Sequence, residues 1–258
     1  MARPSTARRP RPRPPALTRE HIVAAAARLL EREGYEALTM RSLAAELGIQ
    51  AASLYWHVAD REELEDLLFE ALLADLELVV VGRDWREDLR SLARQLLAYL
   101  TAKRDVQRII AGRFVLGPHL LRHLECILGV LRRGGLDGRD AAYALYALLT
   151  YVNGFVLFQS SALSRAHARG AGRREVLGQL RERLTALPRD RYPQSAALAE
   201  ELTTEDAAGR FDFGLARLID GLAMRGRGAA RRQHQAGRLR ERKGRDPASA
   251  IGPASRRG

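Results

Sequence analysis

Apolar residues recur along this chain at helical spacing, and no stretch shows the sustained alternation of a β-strand closed by hairpin turns. Ile22, Val23, Ala26, Leu29 and Leu30 predict a first helix, with Thr18 as its cap, Glu20 in its first turn and Gly34 at its end. Thr39 can cap a second, short helix whose inward face is Leu43, Ala44 and Leu47, stopped by Gly48. A brief turn leads to a further short helix over 51–57. Asp60 and Glu63 have capping-box spacing at the head of a longer helix marked by Leu64, Leu67, Leu68, Ala71, Leu72 and Leu76. Helical periods then predict 85–101, 118–132, 140–160 and 209–224. The fold class read from the pattern is all-α.

Two kinds of segment escape the period. Residues 164–192 are rich in Arg, Gly and Ser, with a weak recurrence at Val176, Leu177, Leu180 and Leu184. They read as a mobile connection with a turn or two of helix. The ends are different again: Arg9-Pro10-Arg11-Pro12-Arg13-Pro14-Pro15 favours extended polyproline II, and 225–258 is Arg/Gly/Ala-rich. Both ends are expected to be disordered.

Charge sharpens this division. The 258 residues carry a net charge of +12, with 41 arginines and two lysines. Residues 1–16 are +5 and residues 225–258 are +9, so the intervening 17–224 are −2. The basic character belongs to the tails. Cys126 has no second cysteine for a disulfide or a zinc site, and its apolar neighbours suggest a buried structural thiol. The N-terminus lacks the apolar core of a secretory signal, and the longest apolar stretch, 141–158, is short for a membrane span and contains Asn153 and Gly154. A cytoplasmic protein without membrane association is expected.

Residues 39–57 have helix-turn-helix grammar. Gly48 permits the sharp turn, Ile49 and Leu54 can lock the two helices, and Gln50, Ala51, Ala52, Ser53 and Tyr55 then face outward. Small residues let such a helix approach the floor of a major groove, where methyls meet thymine methyls and Gln50 or Arg41 reads base edges. An ordinary helical hairpin would use similar residues. The segment is also acidic: 17–65 holds five bases and nine acids. Specificity would have to come from a few placed contacts.

The run Glu-Gly-Tyr-Glu-Ala-Leu-Thr-Met-Arg-Ser-Leu-Ala-Ala-Glu-Leu-Gly-Ile at 33–49, with Ser-Leu-Tyr-Trp-His-Val at 53–58, resembles the N-terminal domain of TetR-family transcriptional repressors. Asp84-Trp85, Leu89-Arg90, Arg104-Asp105, Ala111-Gly112, the Ala-Tyr-Ala-Leu run at 142–145 and Phe211, Gly214-Leu215 and Asp220-Gly221-Leu222 are similar to the tetracycline-repressor type of C-terminal domain. The resemblance implies a homodimer whose recognition helices enter successive major grooves of a palindromic double-stranded DNA operator. By it, Arg41 and Gln50 read bases, Ala51, Ala52 and Ser53 face them, and Thr39, Tyr55, His57 and Arg61 meet phosphates. Trp56 is structural or flanks the backbone; packing beneath the helix is the other reading for Tyr55 and Trp56. Met40 replaces a hydroxyl residue, so one phosphate contact is absent. The implied division is a basic arm (1–16), a DNA-binding domain (17–63), a ligand-binding and dimerisation domain (64–224) and a basic tail (225–258).

The same resemblance implies release of DNA by a small-molecule effector. The tetracycline-repressor type chelates drug-bound magnesium through histidines, but the matching stretch Ile109-Ile110-Ala111-Gly112-Arg113 has none, and by the Ala-Tyr-Ala-Leu match Thr150 replaces the second. No cofactor or metal is therefore expected, and the effector is read as hydrophobic or aromatic. Leu92, Leu96, Ile110, Arg113, Phe114, Tyr146, Thr150, Asn153 and Phe158 are the candidate lining; plain core is the alternative for most of them, and a salt bridge for Arg113. Asn153, an amide among apolar neighbours, needs partners. Phe155, Phe211, Leu215, Leu218, Ile219 and Leu222 are the candidate dimer interface.

Catalysis has no support in pattern: there is no G-x-S-x-G, phosphate-loop glycine motif or H-E-x-x-H. His119 and His123 share a helical face, yet no acidic ligands accompany them. The competing reading is an architectural nucleic-acid binder that acts through its tails without sequence choice.

Overall fold

The computed structural model describes residues 17–243 apart from 83, 104, 112 and 169–171, and gives the backbone alone for 160–168, 173 and 226–243. The predicted arm 1–16 and the end of the tail, 244–258, lie outside the described residues. No strand occurs among those described.

Caps read from the sequence set the first helices. Thr18 Oγ1 accepts from the His21 N–H at 3.3 Å and opens α1 (Arg19–Glu33), which Gly34 ends with its N–H on the Leu30 carbonyl. Thr39 and Ser42 cap each other's backbone at the start of α2 (Met40–Glu46). Gly48, at φ +66°, takes the left-handed turn that only glycine adopts without penalty, and α3 follows at Ala51–Leu54. Asp60 Oδ1 accepts from the Glu63 N–H to open α4 (Arg61–Ala74), while Glu63 reaches back to the Ala59 N–H.

The remaining helices are α5 (Trp85–Ala102), α6 (Val106–Ile110), α7 (Pro118–Arg133), α8 (Gly138–Ala168), α9 (Arg173–Thr185), α10 (Pro193–Ala197), α11 (Ala199–Leu202) and α12 (Ala207–Lys243). The chain forms two compact units: 17–75 with Lys103–Gly117, and Leu76–Ala102 with 118–243. In the first, α1, α2, α3 and α4 enclose Ile22, Leu29, Leu43, Leu54, Leu64 and Leu68, and α6 covers α4 with Val106 and Ile109. In the second, α5, α7 and α8 pack on one another and α12 closes against α5 and α8.

Three sequence expectations change. Residues 64–75 and 103–117 fold with the helix-turn-helix rather than with the larger unit, because the apolar face of α4 is needed to cover α1 and α6 is needed to cover α4. The expected mobile connection is helical over much of its length: α8 runs on to Ala168 and α9 spans Arg173–Thr185. Arg, Glu, Leu and Gln are strong helix formers, and α9 gains packing from α10 and α11, with Arg181 bonding the buried Thr203 hydroxyl at 3.2 Å. The tail expected to be disordered from 225 is helical as far as Lys243.

Candidate nucleic-acid interface and effector region

The turn between α2 and α3 is held from inside. The Ile49 N–H donates to the Ala44 carbonyl at 3.0 Å, and Leu54 is fully buried beneath. Everything else on the short helix is offered outward. Arg41, Gln50, Ala52 and Ser53 are exposed, Ala51 is half-buried, and Gln50 stands at the head of α3 in extended conformation. Tyr55 is 52% exposed and Trp56 is 90% exposed. Trp56 therefore does not pack beneath the helix. A tryptophan left bare beside a row of small residues is an unusual use of apolar surface in a lone domain, and it suits a flat or grooved partner. His57 is half-buried, its carbonyl accepting from Arg19 Nε at 3.0 Å. The Thr39 hydroxyl serves the cap of α2.

Arg61, an expected phosphate contact, has intramolecular partners as well. Its Nε donates to Glu65 Oε1 at 2.8 Å, and its guanidinium covers the Tyr35 ring 4.6 Å from the centroid. The Glu65 carboxylate beside it holds the Arg61 proton, so the arginine pKa is raised. Arg108 also approaches the Tyr35 ring, to 4.2 Å, and pairs with Glu36 at 2.7 Å. The Tyr35 hydroxyl donates to Glu65 Oε1 at 3.0 Å, Arg113 Nη2 donates to Glu65 Oε2 at 2.7 Å, and Arg113 also pairs with Asp66. The Tyr35 N–H reaches Asp105 Oδ2 at 3.0 Å. Tyr35, Glu65, Asp66, Arg108 and Arg113 rim an open, polar cavity of about 460 Å³ that also takes in Glu62 and Phe114. The sequence reading missed Tyr35, Glu65 and Arg108. A signal was present, since Glu65 falls three and seven residues before Leu68 and Leu72, in a buried register of α4.

The candidate effector residues are divided between the two units. Ile110, Arg113 and Phe114 belong to the first unit, and Arg113 makes the salt bridges that were the alternative for it. The other six lie in the second unit. Leu92 and Leu96 are buried on α5; Tyr146, Thr150 and Phe158 are exposed on α8. Asn153 Nδ2 donates to the Leu149 carbonyl at 2.8 Å, while its Oδ1 is buried with no hydrogen-bond partner among the described residues. Among those residues no three His, Cys, Asp or Glu side chains gather as a metal site. Cys126 is half-buried, and burial raises its thiol pKa.

The candidate dimer stripe needs correction. Phe211, Leu215 and Ile219 are fully buried within the protomer, where Phe211 meets Tyr151 and Phe155 at ring-centroid distances of 5.3 and 5.1 Å. Leu218, Leu222 and Phe155 are half-buried. Phe211, Leu215 and Ile219 are the inward face of α12, since a helix lying on α5 and α8 must turn its apolar register toward them, whereas Leu218, Leu222 and Phe155 keep part of their surface open. What remains outward is Phe213 on α12, with Tyr143, Tyr146, Leu157 and Phe158 on α8. The 138–159 part of α8 is long and apolar enough to cross a membrane, but it packs as a bundle helix.

An all-helical chain that projects a short, small-residue helix from a capped turn, ahead of a separate helical bundle, is a helix-turn-helix transcriptional regulator. Residues 22–66 match the bacterial regulatory proteins of the tetR family, and 81–225 match the tetracyclin repressor-like C-terminal domain. The chain belongs to the tetR family. It is 33% identical to the HTH-type transcriptional repressor DrrR1 of Streptomyces coeruleorubidus, over 85% of this chain and 82% of that one. Apo ActR of Streptomyces coelicolor superposes with a TM-score of 0.73 at 36% identity, over 83% of this chain and 98% of that one. ActR in complex with actinorhodin gives 0.71 at 38%, over 80% and 95%.

Proposed function

We propose that this protein is a cytoplasmic repressor that binds a palindromic operator as a homodimer and leaves it when a small apolar or aromatic effector binds. The exposed row Arg41, Gln50, Ala52, Ser53, Tyr55 and Trp56 on a buried Leu54 anchor carries the DNA reading. Arg41 and Gln50 are the base readers, with Ala51, Ala52 and Ser53 against the bases. Thr39, Tyr55 and His57 stand along the phosphates. Arg61, held by Glu65 and still partly exposed, stands with them.

The effector reading is supported by ActR, a relative solved with actinorhodin and with (S)-DNPA. In this chain the orphaned Asn153 Oδ1 is an acceptor awaiting a donor, and the Leu92 and Leu96 face of α5 is apolar. Metal-assisted binding has no ligands at Ile110 or Thr150. Such an effector releases DNA only by binding the non-operator conformation more tightly.

Selection from random-sequence duplexes tests the reading. The expected product is a palindrome, on which Arg41→Ala costs about 1–3 kcal/mol while affinity for random DNA hardly changes. Selection that enriches no sequence, or equal losses on both DNAs, would overturn it.

A further inference from the structure

The DNA-binding unit has the wrong sign of charge for long-range attraction to DNA. Residues 17–75 with 103–117 hold nine basic and thirteen acidic side chains, a net −4. Duplex DNA carries one negative charge per roughly 1.7 Å, and sequence-independent affinity comes from neutralising those phosphates. The preceding residues 1–16 add +5 and bring this unit only to about neutral, so the larger reserve of positive charge is the +9 at 225–258.

The continuation of α12 has the required chemistry. The helix packs on α8 as far as Ala223, and Arg225 clasps Asp140 with both nitrogens at 3.1 Å. Its backbone then runs 18 further residues, 226–243, or about 27 Å at 1.5 Å per residue. The sequence of that continuation gives no core-forming stripe, since Leu239 is its single large apolar residue. It holds seven basic residues and one acid. Four of the seven, Arg227, Arg231, Arg238 and Arg242, recur at i, i+4, i+11 and i+15, with His234 at i+7. All five positions fall within about 80° of a 3.6-residue helix. That stripe spans some 22 Å, the length of six or seven base pairs at roughly 3.4 Å each.

We infer that the C-terminal continuation of α12 is a second, sequence-independent contact for duplex DNA, a phosphate-binding arm that supplies the attraction the acidic helix-turn-helix unit lacks. Arginine suits this role, because its planar donor fork matches phosphate oxygens. Charge arranged along one register and left without an apolar face fits a polyanion and leaves little for a packed protein partner. Base reading and loading thus reside in separate parts of the chain.

The test compares the full chain with a version ending at Arg225 and with Arg227, Arg231, Arg238 and Arg242 all changed to Gln, a substitution that preserves helix propensity. Binding to a random-sequence duplex is measured from 50 to 300 mM salt. The slope of log affinity against log salt should become shallower by about 3–4 per protomer in the quadruple variant, at about 0.9 for each phosphate lost. Affinity at about 100 mM salt should fall at least tenfold, and the ratio of operator to random-DNA affinity should be kept or rise. An unchanged slope in both variants overturns the inference. So does a gain in DNA affinity on truncation, which would show that the helix covers the protein's own acidic unit. Retention on anionic phosphatidylserine vesicles with an unchanged DNA slope would assign the stripe to lipid and equally overturn it. Loss of operator preference in Arg41→Ala, measured alongside, reports on base reading independently.

Discussion

Glu65 occupies a register of α4 that Leu68 and Leu72 give to the core, and its side chain is only 7% exposed. A carboxylate there is tolerable because three donors converge on it: the Tyr35 hydroxyl, Arg61 and Arg113. Removing the carboxylate leaves the half-buried Arg113 with Asp66 alone and strips Tyr35 of its acceptor. Glu65→Ala is expected to lower unfolding free energy by about 3 kcal/mol. Tyr35→Phe, which keeps the ring beside both guanidiniums and loses one hydrogen bond, should lower it by about 1 kcal/mol. Guanidinium midpoints at constant slope check both, and a midpoint unmoved in Glu65→Ala would show that the carboxylate contributes nothing. The same network gives Arg61 an intramolecular partner besides the expected phosphate. Glu65, one helical turn on, binds its Nε, while more than a third of the side chain stays exposed.

At the scale of elements, the join of α8 and α12 turns on one glycine. A β-carbon at Gly214 would fall 2.4 Å from the Tyr151 hydroxyl oxygen, and that oxygen is tied to the Phe211 carbonyl at 2.7 Å. Tyr151 cannot swing aside without breaking the bond and disturbing its ring contact with Phe211. Gly221, on the same helix, has nothing within 4 Å of such an atom. Gly214→Ala should therefore destabilise by about 1–3 kcal/mol, while Gly221→Ala should be neutral or stabilising by up to about 1 kcal/mol; thermal denaturation of the two distinguishes them. Equal effects would remove the close approach as the cause. The sequence already held the helix period, the caps at Thr18, Thr39 and Asp60, and the turn at Gly48, because these are local and each is dictated by residues within a few positions. It could not show which neighbour an apolar face meets. Phe211, Leu215 and Ile219 make a stripe equally suited to a partner subunit or to the protomer's own α5 and α8, and only tertiary packing chooses. For the same reason α4 and α6 were assigned to the wrong core, and the glycines within 164–192 and beyond 225 weighed too heavily against strong helix formers.

The whole molecule is left with apolar surface that a lone protomer does not cover. Tyr143, Tyr146, Leu157 and Phe158 line the outer side of α8, with Phe158 71% exposed, and α12 adds Phe213 and Met224 at 70% and 76%. Scattered exposed apolar residues need no explanation, but Tyr143, Tyr146 and Leu157 on one face of a helix, with only Thr150 and Gly154 exposed between them, do. Two such faces brought together would bury what each exposes, and folding would then be linked to association. The melting temperature should accordingly rise with protein concentration over a hundredfold range. Leu157→Arg, which places a charge beside Phe158 at the end of the row on an exposed position, should flatten that dependence and lower the sedimentation mass to that of one chain. A palindromic operator should then lose its advantage over a single half-site, since each protomer would bind its half alone, while Arg41 contacts with that half persist. A melting temperature independent of concentration in the unmodified protein would refute this face as the dimer surface, and operator binding would have to be paired through other residues.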